Sequence, residues 1–509
     1  SNIDEVNIFG TNPVLVDTDN DGVNDEMDFY ALISLNGLTD SDSDGIPDTC
    51  DQACLDLGML ADVYINGIIY VNDNANCDAL NETCGVSWAT AFPYLQDALA
   101  VATANNNIWL AEGAYYPDDN AVGELNGDDR AYFEMVNQVG LYGGFSNDGL
   151  ATLLSDADPA NFISLLSADI GQDDNRDGNN ATLSVADING VNSLWLTKDS
   201  STVAHYTLQG LTFSGAIVNS INSDYSGANL KQLTFIANFG DSGGVVYFGV
   251  NNSGGANCLS INLEDILMER NAFGEMIYFD DYSCDTVNLD NIVFDNNSAT
   301  AALTLENNSD VTIDGLWIKS NNTFVEGINV SSGDLASYTF TVNNSVLQNI
   351  TGRAIYAGKG NLNINNSTFT GNSRAIFQNS KSNLSLNHVT IANNSNTNSV
   401  PIIDIQATLS FSMKNSIVAD NTVDGVESNI VITSGSFIDN GYNLIGSDNN
   451  SGVSDSSTGD FATYFNSGTS FVGLQVMDDV ISTVLAGNGG TTELVYGQTG
   501  YNLNGNIWT

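Results

Sequence analysis

From residue 208 onward, apolar and polar positions recur in a nine-residue phrase: LQGLTFSGA, LKQLTFIAN, LEDILMERN, LDNIVFDNN, IDGLWIKSN, VNNSVLQNI, INNSTFTGN, LNHVTIANN and MKNSIVADN. Each opens on an apolar residue: Leu208, Leu230, Leu263, Leu289, Ile313, Val342, Ile364, Leu386 and Met413. A second apolar residue follows five places later, usually with an apolar or small one at the third place. That spacing predicts a short strand followed by a turn, and the density of Asn, Ser, Thr and β-branched residues excludes helix. Successive phrases start 22 to 33 residues apart, the length of one solenoid coil. Eight places after the start stands Asn238, Asn271, Asn297, Asn321, Asn372, Asn394 or Asn421 in seven of the nine phrases. Stacked coils bring equivalent residues to ~4.8 Å of one another, so these amides are predicted to hydrogen-bond along the stack as a ladder.

A second strand in each coil is visible in RAIYAG (Arg353 to Gly358) and RAIFQN (Arg374 to Asn379), and a third is expected. The fold class that follows is all-β, a right-handed parallel β-helix solenoid. Its open end needs a cover, because a bare terminal coil exposes unpaired strand edges and core. After Pro93, residues Leu95, Ala98, Leu99, Val101 and Ala102 fall on one helical face, so a short N-terminal capping helix is predicted near residues 92–103. A strand follows at Ile108 to Leu110, and the apolar runs YFEMV, VGLYGGF and ISLLSADI are expected to form early coils.

Composition narrows the environment. The 62 acidic residues face 11 basic ones, a net charge of −51 in 509 residues. Such a field repels nucleic acid, anionic membrane and acidic polysaccharide, and is best tolerated where divalent cations or salt screen it. There is no apolar run of membrane-spanning length, so membrane insertion is not expected. The six cysteines form three natural pairs: Cys50 with Cys54, Cys77 with Cys84, and Cys258 with Cys284, about one coil apart. With no CxxC and two histidines, disulfides in an oxidising exterior are expected over zinc or redox chemistry. The start at Ser1 fits a processed, secreted chain.

The acid is concentrated in two loops. In DTDNDGVNDEMD, Asp17, Asp19 and Asp21 occupy positions 1, 3 and 5, Gly22 position 6, Val23 position 7, Asp25 position 9 and Asp28 position 12. DSDSDGIPDTCD repeats the register with Asp40, Asp42, Asp44, Gly45, Ile46, Asp48 and Asp51. This spacing supplies the six to eight hard oxygens that calcium (Ca2+) requires, position 7 through its backbone carbonyl and the glycine through its sharp turn. The flanks lack the long helices of an EF-hand. Residues 10–55 instead resemble thrombospondin type-3 calcium repeats, which implies a structural ion. A weaker third loop is read in DDNRDG, where Asp173, Asn175, Asp177 and Gly178 keep the register but Ala181 and Ser184 take positions 9 and 12. The chain thus divides into a calcium-binding segment over 1–60 and the solenoid over 61–509.

Further motifs carry a second resemblance. YVNDNA, SWATAFPYLQDALAVA, IWLAEGAYYP, GLYGGF and LSADIGQDDNRDG, with NGYNLIG and GNGGTTELVYGQTG near the other end, resemble bacterial pectin-lyase-like surface β-helices of the choice-of-anchor type. The resemblance covers about residues 63–505 and implies a C-terminal cap near 440–509 and an adhesin-like or surface role. The family's usual proline-containing end is replaced by YGQTGYNLNGNIWT.

Enzymatic readings find thin material. A polysaccharide lyase needs a basic group to take a proton, and Arg353 and Arg374 are the best candidates, although turn or rim side chains anchored to acids suit them as well. A glycoside hydrolase needs paired carboxylates, such as Asp280 with Asp281 or Asp265 with Asp290 one coil on. Among so many acids, adjacency says little. His205 and His388 lie far apart with no nucleophile motif beside them. The expected function is a secreted, calcium-stabilised structural or adhesive subunit that self-associates head to tail into a fibre or array. Glycans or other surface proteins are further partners. The alternatives are a polysaccharide-degrading enzyme and a glycan-binding adhesin, for which an aromatic stripe along one face would be the sign.

Overall fold

The computed structural model describes residues 67–446 and Phe471–Val472, apart from 80–82, 120–128, 200–204, 224–226, 250–257, 283, 308–309, 320–321, 332–337, 359, 380–381, 407–408, 428–429 and 433–435. The calcium loops of residues 17–28 and 40–51, Cys50 and Cys54, and almost all of the C-terminal cap region beyond 446 lie outside the described residues.

The chain winds as a parallel β-helix. One sheet of 22 strands and one of 11 run parallel along the same axis. A representative coil contributes Asn361–Asn365 and Thr368–Thr370 to the first sheet and Arg374–Gln378 to the second. The next repeats this with Asn383–Asn387, Thr390–Ala392 and Ile403–Ile405. The expected third strand is therefore present. All nine phrase openings pair in register, from Leu208 opposite Leu230 to Leu386 opposite Met413. They are buried in one continuous core together with the residues five places on. Within that core, like stacks on like: Phe213 on Phe235 at 4.9 Å and Phe248 on Phe279 at 5.0 Å between ring centroids, contacts that add to the area buried.

What bends each coil is a residue type the strand pattern concealed. Two places into every phrase the backbone is left-handed: Gly210, Gln232, Asp265, Asn291, Gly315, Asn344, Asn366, His388 and Asn415 all have φ between 48 and 76°. Seven places in, it is left-handed again at Gly215, Ala237, Arg270, Asn296, Asn349, Gly371, Asn393 and Asp420. Gly, Asn and Asp dominate because they bear this conformation at least cost. The first bend divides the two strands of the first sheet; the second turns the chain into the other sheet.

The amide ladder lies just after that second bend. Asn238, Asn271 and Asn297 each donate Nδ2 to the Oδ1 of the next asparagine at 2.9 to 3.1 Å, and Asn372 and Asn394 repeat the arrangement at 3.0 and 2.8 Å. In the fifth coil the ladder residue is Asn322, not Asn321, which lies outside the described residues: that turn is one residue longer. Where the sequence has Ala216 and Ile350, the backbone N–H still donates to the next asparagine, at 3.1 and 3.0 Å.

The predicted helix spans Leu95–Val101, with Leu95, Ala98 and Leu99 buried against the first coils. Val101 departs from expectation, being 36% exposed, while Ala102 closes the apolar face. The early apolar runs form Phe133–Glu134, Gly140–Phe145 and Ser164–Ser167. NGYNLIG continues the stack: Leu444–Ile445 pairs with Ile417–Ala419 and then with Phe471–Val472. Cys77 and Cys84 are joined by a disulfide with Cα atoms 5.8 Å apart. Cys258 and Cys284 are direct backbone partners on neighbouring coils, as their spacing suggested.

Candidate functional site

Three carboxylates converge where the chain leaves the strand Ser164–Ser167. Asp169 is fully buried and organises the turn that follows: its two oxygens accept the backbone N–H groups of Asp173 (3.0 Å) and Asp174 (3.1 Å). It also accepts from the Arg176 guanidinium, with Nε at 2.8 Å and Nη2 alongside, and Arg176 donates onward to the Tyr116 hydroxyl at 3.0 Å. Asp174 accepts from the Asn189 backbone (2.5 Å), the Thr182 hydroxyl (2.8 Å) and Asn192 Nδ2 (3.1 Å). Burial raises the Asp174 carboxyl above the usual aspartate range, against the opposing pull of those donors.

Oxygens of Asp169, Asp173 and Asp174 lie within 4.8 Å of one another, close enough for one cation to touch all three. Asn192 is 2% exposed, and its Oδ1, on the amide tied to Asp174, has no partner. An all-oxygen donor set with a spare buried carbonyl fits a hard divalent ion such as calcium. Arg176 already neutralises Asp169, so Asp173 and Asp174 carry most of the attraction.

The third-loop register expected from DDNRDG does not form. Asp177 folds back on its own turn, accepting from the backbone of Asn179 (2.8 Å) and Ala181 (3.1 Å), and Asn175 donates to Asp187 at 3.0 Å. Only Asp173 joins the cluster. Its partners at 169 and 174 escape the loop pattern because the buried Asp169 carboxylate itself shapes the turn.

Arg353 and Arg374 are backbone partners on the second sheet. Arg353 grips Glu326 with Nε at 2.9 and 3.0 Å and Nη2 at 2.6 Å, and lies 4.2 Å from the centre of the Tyr356 ring. Arg374 faces Asp404 at 3.8 Å and the Phe377 ring at 5.0 Å. Both are anchored to acids, as the milder reading had it. Burial raises the carboxyls of Glu326 and Asp404.

Asp265 and Asp290 are not brought together as a pair. The register sets Asp290 opposite Glu264, and Asp265 instead accepts from Asn291 Nδ2 at 2.6 Å. Asp280 accepts from the Tyr247 hydroxyl at 2.9 Å, and the Asp281 side chain lies outside the description. His388 sits in a left-handed bend, its Nε2 3.0 Å from Asn415 Nδ2, and His205 stands on a separate coil, its pKa lowered by burial.

The outer face of the second sheet carries two aromatic pairs, Tyr247 with Tyr278 and Tyr356 with Phe377, separated by Thr304 and Asn329 in the same column. Beside it runs an open groove of about 570 Å³ lined by Phe239, Phe273, Ala299, Thr300 and Val325 among others. No family model and no curated protein matches the chain. Among the described residues, no helix is long and apolar enough to cross a membrane.

Proposed function

We propose that the chain is a secreted structural or adhesive β-helix of the pectin-lyase-like surface type, stabilised by calcium and assembling head to tail. The observation that carries this reading is where the outward polar side chains are spent: they tie one coil to the next. Lys231 reaches Glu264 at 2.8 Å, Lys319 reaches Asp295 at 2.5 Å, Tyr278 reaches Glu306 at 3.2 Å and Arg353 clamps Glu326. With the buried amide ladder, such axial bonds suit a rod that carries load along its length. Calcium is assigned to the two N-terminal aspartate loops and to Asp169, Asp173 and Asp174, because a chain of charge −51 gains most from divalent cations. The disulfide fits an oxidising exterior.

Light scattering and electron microscopy of the purified chain in millimolar calcium test the reading. Fibres or arrays that dissolve on chelation are expected; a monomer at every calcium concentration refutes assembly. The aromatic pairs and the groove favour a second reading, a glycan-binding adhesin, which a glycan array tests directly.

A further inference from the structure

At the first bend of the coil, one residue after each phrase opening, the register aligns Lys231, Glu264, Asp290 and Asp314 in one outward column. Lys231 pairs with Glu264, which leaves the next two coils with stacked carboxylates and no cation between them among the described residues. The Asp290 carboxylate accepts no hydrogen bond among the described residues, and Asp314 spends one oxygen on Asn344 Nδ2 at 2.6 Å. Partial burial, then the charges of Asp314 and Glu264, raise the Asp290 carboxyl above the ordinary aspartate range.

A third oxygen is carried by the residue that follows Asp290. Asn291 is 7% exposed, and its Oδ1 is buried without a partner. Its Nδ2 donates back to Asp265 on the preceding coil, which fixes the amide orientation, since the reverse would set a carbonyl against a carboxylate. The carbonyl oxygen is therefore turned away from Asp265; at the matching position two coils on, Asn344 likewise donates Nδ2 back to Asp314 and presents Oδ1 forward, to Asn366 Nδ2. The residue of the Asp314 coil equivalent to Asn291 is Gly315, left-handed at φ 76° and without a side chain.

We propose that Asp290, Asp314 and the Asn291 carbonyl oxygen bind a divalent cation of the calcium type between adjacent coils. Successive coils stand ~4.8 Å apart, which matches the ~4.6–5.2 Å that two calcium–oxygen bonds of 2.3–2.6 Å span. The ion joins two coils that otherwise repel. This site owes nothing to the N-terminal aspartate loops or to the Asp169 cluster, so it stands or falls apart from the reading above.

The test uses the full chain with terbium(III) as a luminescent probe and calcium as its competitor. Trp317 lies three residues beyond Asp314, just past the Gly315 bend and no more than about 10 Å away, within range to sensitise bound terbium. Calcium-displaceable, tryptophan-sensitised emission is expected. It should drop in Trp317→Phe and in the Asp290→Asn, Asp314→Asn double variant. Equilibrium dialysis should show one calcium fewer for the double variant and affinity at this site about tenfold weaker for Asn291→Gly, a substitution its left-handed backbone accepts. Unchanged emission and unchanged stoichiometry in the double variant overturn the proposal, as does unchanged calcium affinity in Asn291→Gly. A parent chain that forms no fibres, with the stoichiometric difference intact, counts against the assembly reading alone.

Discussion

Replacing Asn271 by alanine cuts the buried ladder at a position where its contribution can be worked out bond by bond. The Asn271 side chain makes four hydrogen bonds. Its Oδ1 accepts from Asn238 N–H (3.0 Å) and Asn238 Nδ2 (2.9 Å); its Nδ2 donates to the Phe235 carbonyl (2.9 Å) and Asn297 Oδ1 (3.0 Å). Some partners keep a second bond: Asn238 Nδ2 retains the Phe213 carbonyl, and Asn297 Oδ1 retains the Asn271 backbone. The Asn238 N–H loses its acceptor in a buried place, at a cost of about 1–3 kcal/mol, and the three other net bonds add about 1 kcal/mol each. The local destabilisation expected is therefore about 4–6 kcal/mol. Because coils of a solenoid contact mainly their neighbours, the effect should stay local, and amide hydrogen exchange is a better assay than global melting. Peptides from residues 230–300 should lose protection roughly a hundredfold or more, since 1.4 kcal/mol is a factor of ten, while residues 361–396 exchange as before. A loss below about fivefold in the first region, or an equal loss in both, refutes the reasoning.

Arg353→Ala strands Glu326, whose side chain is 9% exposed, and should lower stability by about 3–5 kcal/mol in urea unfolding, with Glu326→Gln milder. The carboxyls of Asp265, Glu275, Asp290, Glu326 and Asp404 are all raised, first by burial. Each binds its proton more tightly when folded, so its stabilisation is complete below an unfolded pKa near 4 and is lost as pH rises through the folded value. Tm should therefore climb as pH is lowered from 7 toward 5; the lowered carboxyls of Asp156 and Asp187 oppose this only in stronger acid, and a Tm that falls steadily over that range contradicts the assignment. Opening the Cys77–Cys84 disulfide by double serine substitution should cost about 2.5 kcal/mol on the chain-entropy account, read as a Tm drop reproduced in the parent chain by reductant. Trp88→Ala removes the indole that donates to the Ala151 carbonyl at 2.8 Å and packs against Tyr70 and Phe145, so limited proteolysis should become faster within residues 146–158.

The solenoid could be read from the sequence because each coil restates the same local code. Leu208 to Met413 recur at one strand position and the asparagines at one turn, and side chains that repeat in sequence are the ones that stack in space. The pairing of Cys258 with Cys284 follows from that repetition, as does the helix over Leu95–Val101 from its apolar face. The tertiary structure decided what depends on partners a whole coil away. It moved the ladder to Asn322, set Asp290 over Glu264 rather than beside Asp265, and gathered Asp169 and Asp174 about Asp173. The physical reason is that apolar burial constrains every inward position alike. An outward carboxylate instead takes its partner from coil lengths that vary between 22 and 33 residues, and a one-residue change in a turn carries it to a different neighbour.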